Sequence, residues 1–212
     1  MDIIKGLGNA NKIMNRMLWK AREKFGLKVH SINGGGLRNA IPRESFSIVC
    51  VPSDQLSDWK KDFENKAIEI KTEYASNDSD LKISFEASSS KNTVISNDLQ
   101  DKITAAIYSA FNGIYRMSPD IEGLVQTSNN LAKVTVNSEI CEVLCLTRSS
   151  LDSEKFDLSE SLAASFESTN YPGMDMISFG PNIRGAHSPD EKCQISSVQK
   201  YWGYLLETLK RI

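Results

Sequence analysis

Apolar residues recur at helical spacing between Gly8 and Phe25, where Ala10, Ile13, Met14, Met17, Leu18, Ala21 and Phe25 form one stripe that Gly26 ends. A short strand is expected over 28–32, broken by Asn33 and the glycines at 34, 35 and 36, and a second over 45–51. In that second strand Phe46, Ile48 and Cys50 share the face expected to turn inward. Pro52 ends it. Ser53 then caps a helix whose stripe is Leu56, Trp59, Phe63, Ile70 and Tyr74. Leu81, Ile83, Phe85 and Ala87 alternate as a further strand.

After the serines at 88–90, a third helix begins beyond Asn97, with Gln100 placed for a capping box. Its stripe is Leu99, Ile103, Ala106, Ile107, Ala110 and Phe111. Strands follow at 123–127, 131–136 and 139–147, and a less regular helix at 151–167. The last part holds turn residues at 169–173, a strand over 174–179, a loop from Gly180 to Glu191 and a terminal helix. Val198, Tyr201, Trp202, Leu205 and Leu209 form the stripe of that helix. This order predicts an α+β fold: a two-layer sandwich with an antiparallel sheet, helices on one of its faces, and a C-terminal strand-loop-helix remnant.

Composition narrows the function classes. The chain has 212 residues, 25 Lys and Arg against 27 Asp and Glu, and a formal net charge of -2. That balance gives no global attraction to nucleic acid or an anionic membrane. No apolar run reaches the roughly 20 residues that cross a bilayer, and the first residues lack the layout of a signal peptide. A cytoplasmic chain is expected. Its four cysteines form no CxxC pair and are expected as buried, reduced thiols. Only two histidines occur, His30 and His187, so a His-rich zinc site cannot be assembled from this chain alone.

Three segments carry candidate chemistry. The loop from Gly180 to Glu191 offers His187 beside two carboxylates after a strand end, either as site residues or as a solvated histidine and a helix cap. Arg38, Asn39 and Arg43 lie on a glycine-loosened turn. Arginine and asparagine there suit a carboxylate ligand, and the other reading is that Asn39 holds a turn before Pro42. Arg148 ends a strand, where it pairs with a local carboxylate or binds a ligand. The glycines at 34–36 are no phosphate loop, since neither Gly-Lys-Ser/Thr nor a helix follows.

Four blocks together resemble a known family: residues 6–12 (GLGNANK), 31–44 (SINGGGLRNAIPRE), 171–176 (YPGMDM) and 180–191 (GPNIRGAHSPDE). They are similar, in the family's order, to the bacterial aminoacyl-histidine dipeptidases, carnosinase-like zinc metallopeptidases. The resemblance implies a catalytic domain with two zinc ions and an inserted lid that closes over Xaa-His dipeptides and mediates homodimerisation. On this basis residues 1–167 are the lid and dimerisation domain, and 168–212 are the C-terminal segment of the catalytic domain. His187 falls on a zinc ligand, Asn39 on the lid asparagine of the Asn-x-Ile-Pro block, and Arg148 on the arginine that holds a substrate carboxylate. Gly180 falls beside the substrate terminus.

The departures matter as much. The family's His-x-Asp pair, bridging Asp, Glu-Glu pair and Gly-His-Ser-Gly block are absent, and several dozen residues are skipped between Glu167 and Tyr171. These gaps imply an excised lid or a truncated gene product, inert as a peptidase and holding no tight zinc alone, because a metallohydrolase needs a held metal and a base. The alternative expectation is a stand-alone binding or dimerisation module derived from that lid. Neither nucleic acid nor a membrane is an expected partner.

Overall fold

The computed structural model describes residues 2–88 and 93–167, and beyond them only Ile183, Arg184, Lys192, Cys193, Val198, Gln199, Trp202, Gly203 and Leu206. The first apolar stripe folds as two helices, α1 (Ala10–Leu18) and α2 (Ala21–Phe25), separated by Lys20 in the left-handed region at φ 62°. The break still buries Leu18, Ala21 and Phe25 in one core. Gly26, at φ 65°, closes α2, and the Leu27 amide reaches back to the Ala21 carbonyl, the arrangement only glycine adopts at low cost.

Strand β1 (Lys28–Gly34) pairs antiparallel with β2 (Ser45–Cys50), so β1 runs two residues further than the sequence pattern suggests. The alternation in β2 is as expected, but its faces are reversed. Phe46 is 63% exposed and Ile48 and Cys50 also face outward, while Ser45, Ser47 and Val49 lie on the half-buried side. Alternation tells which residues share a face; the partner strand decides which face is covered. Cys50 is therefore an exposed thiol, contrary to the burial expected of it.

Helix α3 (Leu56–Tyr74) follows where its stripe predicts, but its N-cap is Gln55, which makes no side-chain cap hydrogen bond, and not the expected Ser53. The alternating segment at 81–87 does not join the sheet. Leu81 and Ile83 pack on the cluster of Ile13, Met17, Ala67 and Ile70, and Phe85 meets Trp59 and Phe63 edge-on at 5.1 and 4.9 Å. Helix α4 (Asn97–Ser109) is capped by Ser96, whose hydroxyl accepts from the Leu99 amide at 3.1 Å. Gln100 takes no part in a capping box. It is buried, accepting from the Val29 amide at 2.9 Å and donating to the Leu27 carbonyl at 3.0 Å, so it acts as a substitute partner for the start of β1.

Strand β3 (Gly113–Met117), which the sequence pattern did not reveal, precedes β4 (Val125–Val136) and β5 (Cys141–Ser149). Helix α5 (Asp152–Glu167) buries Leu158, Leu162 and Phe166. The two strands expected at 123–127 and 131–136 are one continuous strand, β4, the spine of a five-stranded antiparallel sheet. One side of β4 pairs with β5 from Thr127 to Val136. The other side pairs with β3 over Val125–Asn129 and with β1 over Val134–Val136. Between β3 and β1 a notch is left along that edge of β4.

The result is the expected α+β sandwich. The core joins Leu18, Val29 and Ile32 to Ile103 and Ile107 of α4, Leu131 and Val134 of β4, and Leu158 of α5. The expected C-terminal strand over 174–179 lies outside the described residues. Further on, Ile183–Arg184 pairs antiparallel with Lys192–Cys193, and Trp202 is 58% exposed. No helix among the described residues is long and apolar enough to cross a membrane.

Candidate functional site

The notch beside β4 is closed by amide side chains, and this positions the first candidate residue. Leu131 would need a partner for its backbone groups there. Its N–H is taken by Asn112 Oδ1 at 2.9 Å, and its carbonyl by Asn9 Nδ2 at 3.1 Å. Asn9 is also the N-cap of α1, its Oδ1 accepting from the Asn11 and Lys12 amides at 3.0 and 3.1 Å. Its amide nitrogen further reaches Asn112 Oδ1 at 3.0 Å and Asn130 Oδ1 at 3.3 Å. One buried side chain thus ends a helix and bridges the sheet, with its own donors and acceptor all engaged.

The turn bearing Asn39 sits against the same place. Gly35 passes β4 so closely that a Cβ there would lie 1.9 Å from the Ala132 carbonyl oxygen. Its amide donates to the Glu44 carbonyl at 3.2 Å, and the Ala10 amide donates to the Pro42 carbonyl at 3.0 Å. Between these ties Asn130 Nδ2 donates to the Arg38 carbonyl at 3.3 Å and the Ala40 carbonyl at 2.7 Å. Asn39 is therefore exposed on a turn whose flanking carbonyls are both fastened. The turn is thus held by the Asn130 side chain rather than by that of Asn39.

Arg148 is exposed near the end of β5, opposite Ser128. Leu131 and its partner Cys145 point to the core, so Ser128, Asn130, Leu146 and Arg148 stand on the opposite face. The Asn39 turn and Arg148 therefore belong to one face of the sheet, separated by the two-residue step from Asn130 to Ser128. Cross-strand neighbours and next-but-one residues share a face. An amide and a guanidinium on one open face can bind a carboxylate and a carbonyl; neither is a nucleophile or a base at neutral pH. Gly180 and His187 lie outside the described residues.

Beneath Arg148, on the core side, the strand end is anchored. Thr127 and Ser149 share a hydroxyl hydrogen bond of 2.7 Å, and Ser149 Oγ accepts from the Leu151 amide at 3.0 Å. Glu154, in the first turn of α5, accepts from Thr127, from Gln126 at 2.9 Å and from Arg116 at 3.1 Å. Burial pushes the Glu154 carboxyl up, but these hydrogen bonds and the Arg116 charge outweigh it and hold the group below its usual value. A depressed carboxyl contributes stability that is complete above the unfolded value of about 4.3 and is lost as pH falls through the folded value. Glu154→Gln is expected to lower the urea midpoint at neutral pH and to flatten its decline between about pH 5 and pH 3. An equally steep acid decline in the variant would refute this account.

The sequence resemblance implies two zinc ions, but the described residues do not fit a metal. Among them no group of three His, Cys, Asp or Glu side chains is placed to hold one. His30 turns its Nδ1 to the Thr93 carbonyl. Cys50, Cys141 and Cys145 are free thiols, and burial pushes Cys145 up to about 11, despite Asn129 and Lys12 pulling it down, so it stays protonated.

Sequence reasoning missed Asn9, Asn112 and Asn130. The signal was present in the polar run Ser128-Asn129-Asn130 inside an apolar strand, which suggested a break. The block at 6–12 also has a structural explanation. Besides Asn9, it contains Lys12, whose Nζ donates to the Ile107, Tyr108 and Ala110 carbonyls at 2.7, 3.0 and 2.9 Å and so closes the C-terminus of α4.

Sequence and fold both relate this chain to peptide hydrolases, and within them it is homologous to dipeptidases. It is 32% identical to the cytosol non-specific dipeptidase of Escherichia coli strain K12 over 265 residues, across 100% of this chain and 54% of that protein. Among solved structures, the aminoacylhistidine dipeptidase from Vibrio alginolyticus matches with a TM-score of 0.75 and 29% identity, over 100% of this chain and 54% of that one. The chain thus spans about half the length of the relatives it matches. No family model matches it.

Proposed function

We propose that this chain is the substrate-covering part of a cytoplasmic, zinc-dependent dipeptidase acting on Xaa-His dipeptides. Residues 1–167 are its lid and dimerisation domain, and 168–212 belong to its catalytic domain. The observation that carries the reading is the homology along the entire chain to dipeptidases of which it spans 54%. The first alignment also needs 265 positions for 212 residues, so several dozen positions of the relative meet no residue in this chain. The shared face of Asn39 and Arg148 supports a covering role, with Arg148 taking the dipeptide carboxylate and Asn39 a backbone amide or carbonyl. His187 and Gly180 complete the set from the C-terminal segment.

In this reading the chain binds substrate and leaves hydrolysis to residues of the larger enzyme, which also hold the zinc. The names of the two relatives differ in breadth, one non-specific and one for aminoacyl-histidine, and Xaa-His is the narrower class proposed for this chain. Titration with β-alanyl-histidine, followed by NMR, is expected to shift the amides of residues 37–41 and 146–149. Arg148→Ala and Asn39→Ala should each weaken binding about tenfold, the worth of a charge-assisted hydrogen bond. Added zinc, manganese or cobalt should give no cleavage. Cleavage abolished by His187→Ala would overturn the division of labour, and shifts confined to other surfaces would overturn the binding face. Light scattering on the same sample should report a dimer, twice 23.6 kDa.

A further inference from the structure

We propose that Asn130 is a positioning residue for substrate, holding the Asn39 turn at its working distance from Arg148; this rests on the reading of Asn39 and Arg148 as the dipeptide-binding pair. Asn130 directs both hydrogens of one amide nitrogen to the two carbonyls that flank Asn39, at 3.3 and 2.7 Å. The remaining oxygen of its amide is taken by Asn9 at 3.3 Å. Every polar atom of this buried side chain is therefore engaged, and its own place is set by a residue that also caps a helix. The turn needs such a fastening because it is otherwise solvent-exposed from Gly36 to Ala40, with a single internal bond, from the Ala40 amide to the Leu37 carbonyl at 3.2 Å.

The chemistry of the clamp is specific. Two carbonyls on either side of one residue can be met by two donors on a single atom, and a neutral primary amide supplies both without bringing a charge into the buried strand. A carboxylate in its place has no donor and repels both carbonyls. Asn130 also stands two residues from Ser128, the partner of Arg148 in the ladder. It thereby references the turn to the strand that carries the other half of the binding face. Asn130 touches no ligand in this arrangement; it acts through Asn39. Ordering a binding turn beforehand removes that cost from association.

The test uses the full chain, with amide hydrogen exchange and β-alanyl-histidine titration read side by side. In Asn130→Ala the Ala40 amide should exchange about tenfold faster, with the Ile13 and Leu144 amides within twofold of their original rates, and dipeptide affinity should fall several-fold. Asn130→Asp, which keeps the acceptor for Asn9 and loses both donors, should do the same if the alanine variant folds poorly. Asn39→Ala should weaken binding without changing Ala40 exchange. An unchanged Ala40 rate in both Asn130 variants overturns the clamp, and a faster rate with unchanged affinity overturns the positioning role. If the unaltered chain binds no dipeptide, the reading of the face fails while exchange still decides the clamp.

Discussion

Gly35→Ala is expected to destabilise the chain by about 2–5 kcal/mol, the sum of a left-handed penalty and overpacking against backbone. Gly35 sits at φ 74°, and an added Cβ would lie 1.9 Å from the Ala132 oxygen and 3.0 Å from its carbonyl carbon. Backbone cannot rotate away as a side chain can. Ala132 is the bulged residue in the middle of β4, between Leu131 and Lys133, which are both laddered to β5, so relief means disturbing pairing at the centre of the sheet. The neighbouring glycine supplies the control. A Cβ on Gly36 meets nothing within 4 Å, and Gly36→Ala should change stability by no more than about 0.5 kcal/mol. Urea denaturation of both variants measures the difference, and equal midpoints would refute the close approach.

Asn9→Ala should cost about 2–4 kcal/mol, combining a lost cap with unpaired buried acceptors. The cap contributes two bonds to the first turn of α1, and the amide nitrogen contributes three more to Asn112, Asn130 and the Leu131 carbonyl. Asn9→Asp separates the two functions. It preserves the oxygen that caps the helix, yet aims a second oxygen at acceptors that need a donor. It should therefore be destabilised at least as much as the alanine variant when its carboxyl is ionised. Thermal melts of the two variants distinguish these contributions; a near-neutral aspartate would mean that only the cap matters.

Elements defined by a regular apolar period were legible in the sequence. The helices at 10–25, 56–74 and 97–109 and strand β2 were marked by such periods, the helix at 152–167 by a less regular one, and the edge strand β3 by none. Where the sequence misled, a polar residue had found its partner far along the chain. Asn129 donates to the Phe111 carbonyl at 2.6 Å and accepts from Thr147 at 3.1 Å, so a polar run that resembles a turn is the middle of β4. Gln100 looked like a local cap and instead serves β1. Leu81 and Phe85 alternate as a strand does, but a helix and an aromatic cluster satisfy them. The glycines at 34–36 resembled a flexible break, whereas Gly34 is the last residue of β1 and Gly35 a point of close contact. Of the candidate binding residues, Asn39 and Arg148 were visible as residue types, but their common face was not. It depends on the parity of β4 relative to Leu131, which no local pattern encodes.

Strand β1 joins β4 only over Ile32–Gly34, while β5 follows it from Thr127 to Val136. The hairpin that bears Asn39 and the seam that bears Arg148 are thus held together by that short ladder and, beyond it, by amide side chains. Their separation is a quantity that one substitution can alter, with the sheet left standing. Under the proposed binding role, the spacing of the two candidate residues is then set by side chains that never meet the ligand.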